Sequence, residues 1–118
     1  MSTRSDGKIA ERRAAQFLEE HFGYKILVMN YSCRLGEIDL IGEEAGVLCF
    51  IEVRTRTTSK YGEALETISG VKRRRIALTA HHFLVTKGMD NRACRFDVVT
   101  IQDRGDPQLL KDAFHIAE

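Results

Sequence analysis

Only three cysteines and one proline occur in the 118 residues, and no apolar run is long enough to cross a bilayer. Cys33, Cys49 and Cys94 are odd in number, far apart and form no CxxC pair. That argues against a disulfide scaffold or a zinc finger and fits a reducing compartment. No stretch approaches the ~20 apolar residues of a transmembrane helix, so no membrane partner is expected. Met1 to Lys8 is polar and lacks an apolar core, so no secretory leader is expected and the cytoplasm is the expected location. The sole proline, Pro107, lies near the end, and there is no repeat, low-complexity tract or proline- or serine-rich linker. A chain of this length reads as one domain, residues 1–118.

What is present is a core's worth of hydrophobic residues, 43%, and a charged fraction of 30% that suits a solvated surface. The net charge of +1 hides an uneven distribution. From Arg34 to Glu52 one base stands against five acids (Glu37, Asp39, Glu43, Glu44, Glu52), a net of −4. From Arg54 to Arg75 seven bases stand against Glu63 and Glu66, a net of +5. An acidic cluster followed by a basic segment suits a protein that holds a cation and a polyanion together. A dipolar surface without function is the plain alternative.

Asp6 to Phe22 reads as an amphipathic helix capped by Ser5 or Asp6 and stopped by Gly23. Ala10, Ala14, Ala15, Phe17, Leu18 and Phe22 fall on one side at 100° per residue. Tyr24–Asn30, Gly36–Gly42 and Val47–Thr55 read as strands, the last two forming an antiparallel hairpin across Glu43-Glu44-Ala45-Gly46. Lys60 to Glu66 is a polar connection. Ile68 to Lys87 is a second helix ended by Gly88, and Arg95 to Ile101 a fourth strand. The order α-β-β-β-α-β implies an α/β fold, a mixed sheet with helices on its faces. The tail from Gln102 adds a short strand or covers an edge.

Strand side chains alternate between faces. In the third strand Leu48, Phe50, Glu52, Arg54 and Arg56 share one face, which starts apolar and turns charged at Glu52. In the second strand Glu37, Asp39 and Ile41 share a face, with Ile38 and Leu40 on the other. A register that pairs Asp39 with Phe50 or Glu52 puts Asp39 and Glu52 on a common face. Two adjacent carboxylates repel unless a cation lies between them, and Mg²⁺ or Mn²⁺ with hard oxygen ligands supplies that charge. Solvated carboxylates salt-bridged to Arg54 and Arg34 are the alternative. On the first helix Glu11 falls inside the apolar arc, and a buried carboxylate needs a partner. On the second helix Lys72 sits within the stripe Ile68, Ile76, Thr79, Ala80, Phe83, near an N-terminus whose dipole disfavours positive charge. Snorkelling to solvent is the plain reading of Lys72, and a surface-edge position that of Glu11.

The hairpin Gly36-Glu37-Ile38-Asp39-Leu40-Ile41 with Phe50-Ile51-Glu52-Val53-Arg54-Thr55-Arg56 resembles the PD-(D/E)xK nuclease signature. Gly7, Ala10-Glu11, Asn30-Tyr31, Lys72 and Arg95-Phe96-Asp97-Val98-Val99 extend the match over Gly7 to Ile101. The whole resembles the YraN-like family of uncharacterised bacterial proteins, related in fold to archaeal Holliday-junction resolvases and restriction endonucleases. The resemblance implies a restriction-endonuclease-like fold, a metal on Asp39 and Glu52 helped by the Val53 carbonyl, and Glu11 as the helix-borne acid of the site. It further implies a nucleic acid, DNA foremost, as partner, and a homodimer such as junction-cutting relatives form. One departure is that Arg54 stands where the signature usually carries Lys.

Phosphodiester hydrolysis needs an activated water and charge relief on the phosphorane. Arg54 is expected to stabilise growing negative charge and is excluded as a general base, because guanidinium stays protonated. Lys72 is expected to orient water or brace a carboxylate. Arg34, Arg56, Lys60, Arg73, Arg74 and Arg75 are candidate phosphate contacts that position a strand without reading its sequence. Two other readings stand beside the endonuclease: a nucleic-acid-binding module of the same fold that does not cleave, and an interaction protein whose charges are structural.

Overall fold

The computed structural model describes residues 3–56, 68–102 and 106–114, with side chains from Gly7 onward except that of Arg56. The first helix, α1, spans Thr3–Phe22. It buries Ala10, Ala14, Ala15 and Leu18, with Phe17 partly buried, so this part of the apolar arc expected from the 100° period is the packed face, while Phe22 at the helix end is exposed. Strands β1 (Lys25–Cys33), β2 (Gly36–Glu44) and β3 (Val47–Arg56) follow as an antiparallel meander. The β2–β3 strands run further than expected, and only Ala45 and Gly46 turn the chain, at φ 50° and 83°. Two positive φ values in succession match the twist of a right-handed hairpin.

Helix α2 (Gly70–Thr86) begins two residues later than expected, because Ser69 caps it by accepting the Lys72 N–H at 3.1 Å. Strand β4 (Cys94–Gln102) then pairs parallel with β3, and β5 (Gln108–Leu110) pairs antiparallel with β4. The expected short strand in the tail is β5. The five strands lie in the order β1-β2-β3-β4-β5. The expected polar connection Lys60–Glu66 lies outside the described residues.

Two cores flank the sheet. On the α2 side Ile41, Leu48, Phe50 and Val98 meet Ile76, Ala80 and Phe83. On the α1 side Leu40, Cys49, Ile51 and Val99 meet Ala10, Ala14 and Leu18. Regular alternation had put Ile38 and Leu40 on one face, and here the structure differs. Ile38 packs in the α2-side core and Leu40 in the α1-side core. The strand therefore changes face between them, at Asp39. The β2–β3 ladder ends at Leu40–Ile51, so Asp39 is no longer held to the pleat by its neighbour strand.

Gly36 sets how closely α2 approaches the hairpin. A Cβ there would lie 2.8 Å from Thr79 Oγ1, a hydroxyl that is fully buried and donates to the Arg75 carbonyl. Overpacking of this kind costs about 1–3 kcal/mol. Gly36 also has a φ of 156°, which residues with a Cβ rarely adopt, so Gly36→Ala is expected to lower stability by at least about that amount, read as a lower urea midpoint at unchanged slope. In a Thr79→Ala background the cost of Gly36→Ala should shrink, because the clashing atom is gone. An equal cost in both backgrounds would place the strain elsewhere.

Candidate active site

The site forms where β2 and β3 leave their common ladder. Asp39 Oδ2 accepts the Val53 N–H at 2.8 Å, so a side chain replaces the backbone carbonyl that would continue the sheet. Glu52, one residue beyond the last paired position on β3, is buried at 7% exposure. Its Oε1 meets Lys72 Nζ of α2 at 2.7 Å and Arg54 Nη1 at 3.9 Å. Lys72, expected to orient water or brace a carboxylate, stands against the Glu52 carboxylate. Its position in the first turn, unfavourable to a cation, is offset by this carboxylate.

Glu11 comes from α1 on the other side of Asp39. Its Oε2 is buried without a hydrogen-bond partner, an arrangement that costs free energy unless something else meets it. Burial pushes the Glu11 carboxyl above its ordinary value, hydrogen bonding with Asn30 and Asp39 pulls it down, and the charges of Glu37 and Glu52 add to the rise. Asp39 is pushed up to about 7, first by burial and then by the charge of Glu52, against the Val53 N–H. Both shifts express an excess of negative charge in a poorly hydrated place.

Two cavities meet at Asp39. One of about 550 Å³ is lined by Gly36, Glu37, Asp39, Glu52, Lys72 and Arg75, among others. The second, about 420 Å³, lies against α1 and β1 and is lined by Lys8, Glu11, Asn30, Tyr31, Glu37 and Asp39, among others. Asp39 and Glu37 belong to both. The change of face at Asp39 is what lets one carboxylate serve two openings. Glu37 and Asn30 carried no site role in the sequence; the 57° φ at Asn30, which turns the chain at this rim, has no sequence signature beyond the residue type.

The oxygen-rich donor set suits Mg²⁺ or Mn²⁺ in kind, and the orphaned Glu11 oxygen and the raised Asp39 both ask for positive charge. Among the described residues no group of three or more Asp, Glu, His or Cys side chains is gathered as a ready-made ion site. The Glu52 carboxylate is engaged by Lys72.

The expected phosphate contacts separate into kinds. Arg75 lines the larger cavity. Arg74 is exposed on α2, and Arg34 is exposed at the β1–β2 turn. Arg73 donates to the Ile68 carbonyl at 3.1 Å and lies over the Phe114 ring at 5.4 Å, which ties it to the fold. Arg56 closes β3, and Lys60 lies outside the described residues.

A second buried acid, Asp97, has no part in this site. It is fully buried, accepts from Tyr24 Oη at 2.8 Å, Arg95 Nε at 3.0 Å and the Asp112 N–H at 2.9 Å, and Arg95 continues to Glu44 at 2.6 Å. Its bonds all point inward and tie the tail to the sheet.

Residues 10–101, which include Glu11, Asp39, Glu52, Lys72 and Asp97, match the model of the uncharacterised protein family UPF0102. The chain belongs to this family. It is 40% identical over 119 residues to a UPF0102 protein of Moorella thermoacetica, covering 97% of this chain and 98% of the other. A UPF0102 protein of Pelotomaculum thermopropionicum is 45% identical over 95 residues, covering 80% and 78%. One of Alkalilimnicola ehrlichii is 46% identical over 109 residues, covering 92% and 85%. The UPF0102 fold here is thus a five-stranded mixed sheet, and no described helix of this member is long and apolar enough to span a membrane.

The raised Asp39 has a consequence for stability. An ordinary aspartate ionises near pH ~4, whereas folded Asp39 holds its proton to about 7. Between those values the folded state binds the extra proton, so stability falls as pH rises through that window and is greatest below it. Asp39→Asn should flatten this fall and melt higher than wild type at pH ~8, where repulsion is fully developed. Melting curves at acid and alkaline pH check it; an unchanged slope in the variant would assign the effect to another group.

Proposed function

We propose that this UPF0102 protein is a metal-dependent phosphodiesterase acting on nucleic acid, DNA foremost, in the cytoplasm. One observation carries the reading: Asp39 and Glu52, side by side at the end of the β2–β3 ladder, share a cavity with Lys72 and Arg75. Carboxylates that want a cation and bases that want an anion thus line one space. The resemblance of the hairpin to the PD-(D/E)xK signature supports the same reading.

Asp39 and Glu52 would hold Mg²⁺ or Mn²⁺, with Glu11 reaching Asp39 from the α1 side. When bound, the ion supplies positive charge to phosphoryl oxygens and acidifies water. Asp39 sheds its proton near neutrality and so is ready to ligate at working pH. Arg54 follows Glu52 on the same face and offers a fork of donors to an oxyanion. Arg75 fixes phosphate in the larger cavity, while Arg74 and Arg34 extend the basic surface along which a strand is drawn. Both charge types act by position, so no base-reading contact is required.

A binding module that does not cleave is the second reading, favoured by the Lys72–Glu52 pair that already neutralises one carboxylate. A cleavage screen over single-stranded, flapped and four-way DNA with Mg²⁺ or Mn²⁺ separates the two. Wild type is expected to cut and Asp39→Ala to be inert. Arg54→Ala should lose on the order of 10²-fold or more, as removal of one transition-state donor does, and Arg54→Lys should keep part of the rate. Wild type that binds but never cuts would establish the module.

Salt gives an independent check. Binding to DNA should weaken steeply with ionic strength, and Arg74→Ala with Arg75→Ala should flatten the slope by roughly one unit per lost contact. Arg73→Ala should lower the melting temperature more than it changes the slope, because its guanidinium is held by Ile68 and Phe114. A slope untouched by the Arg74 and Arg75 changes would remove α2 from the interface.

A further inference from the structure

Lys72 holds one oxygen of the Glu52 carboxylate. Its ammonium lies 2.7 Å from Glu52 Oε1, on the oxygen that also faces Arg54. The two partners differ in freedom. The Glu52 side chain is 8% exposed and that of Lys72 42% exposed, so the ammonium can leave for solvent while the carboxylate stays. Nothing in α2 favours a cation in its first turn; among the described residues the Glu52 carboxylate, with the charge of Asp39 beyond it, holds Lys72 inward. A small divalent ion takes its oxygens at ~2.1 Å, a position an ammonium hydrogen fills in the ion pair.

We infer that the Lys72 ammonium and the divalent cation are alternative occupants of the Glu52 carboxylate. With a metal held by Glu52, the Lys72 ammonium would be released within the 550 Å³ cavity that Lys72, Glu52 and Arg75 line. There it meets an anion. The cavity therefore adds the Lys72 charge to that of Arg75 only after the metal is in place, and the metal-free protein keeps a neutral pair instead of a bare buried acid. The inference rests on the metal reading of Asp39 and Glu52 and adds an order of events to it. Lys72 acts here as a positioning residue, through Glu52, until the anion arrives.

The test is calorimetric titration of the full chain with MnCl₂ alone, in wild type, Lys72→Met and Asp39→Asn. Lys72→Met removes the competing charge at similar length, so Mn²⁺ should bind on the order of tenfold more tightly than to wild type. Asp39→Asn should lose binding. Inorganic phosphate should bind wild type more tightly with Mn²⁺ present than without it, and Lys72→Met should show a smaller gain. Equal Mn²⁺ affinity in wild type and Lys72→Met would overturn the displacement while leaving the metal site intact. Absence of Mn²⁺ binding in both would overturn the metal reading beneath it. The wild-type chain offers a readout without mutation: the ¹³Cε resonance of Lys72 should move to the position of exposed lysines on adding Mg²⁺. A resonance that stays put at saturating Mg²⁺ would equally overturn the displacement.

Discussion

Two carboxylates that cannot avoid each other govern this molecule. Asp39 and Glu52 stand one step beyond the last hydrogen-bonded pair of a hairpin, buried enough that water screens them poorly. Everything near them answers that repulsion. The Val53 N–H caps Asp39, the Lys72 ammonium meets Glu52, and Asp39 retains a proton into the neutral range. The more distant architecture follows from the same need. Lys72 can reach Glu52 only because α2 lies close on the hairpin, and it lies close because Gly36 leaves room for the Thr79 hydroxyl.

Asp97 shows what a buried acid looks like when its requirement is fully met within the fold. It has three donors, a neighbouring Arg95 shared with Glu44, and the Lys111 ammonium on Glu44 at 2.6 Å. The charges alternate in sign and the chain of contacts is closed. Glu11 and Asp39 are the opposite case, with one oxygen left unmet and cavities on two sides. Burial alone does not mark a functional acid; burial beside space does.

The element order and the apolar faces were legible in the sequence, because Ala14, Leu18, Phe50, Ile51, Ile76 and Phe83 repeat at the periods of their elements. So was the inward placing of Glu11, Asp39, Glu52 and Lys72, each a charge interrupting an apolar pattern. The change of face at Asp39 was not, since period-2 alternation assumes a strand paired along its length and β2 loses its β3 partner there. The division among Arg73, Arg74 and Arg75 was equally hidden. Three adjacent arginines look alike in a string, and what separates them is Phe114, 41 residues further along the chain from Arg73. The burial of Asp97 depends on Tyr24, 73 residues away.

The antiparallel meander and the parallel β3–β4 pair also differ in when they can form. The strands bearing Asp39 and Glu52 are joined by the two residues Ala45 and Gly46, so their pairing is local and needs little loop closure. Lys72 and the α2 helix that carries it arrive through the long connection between β3 and β4, whose closure is slower. The two acids and Arg54 thus belong to the local hairpin, while Lys72 belongs to an element joined by the longer connection. A hairpin formed without α2 would leave the carboxylates open to solvent, where water and whatever cations it holds screen the repulsion that burial later exposes.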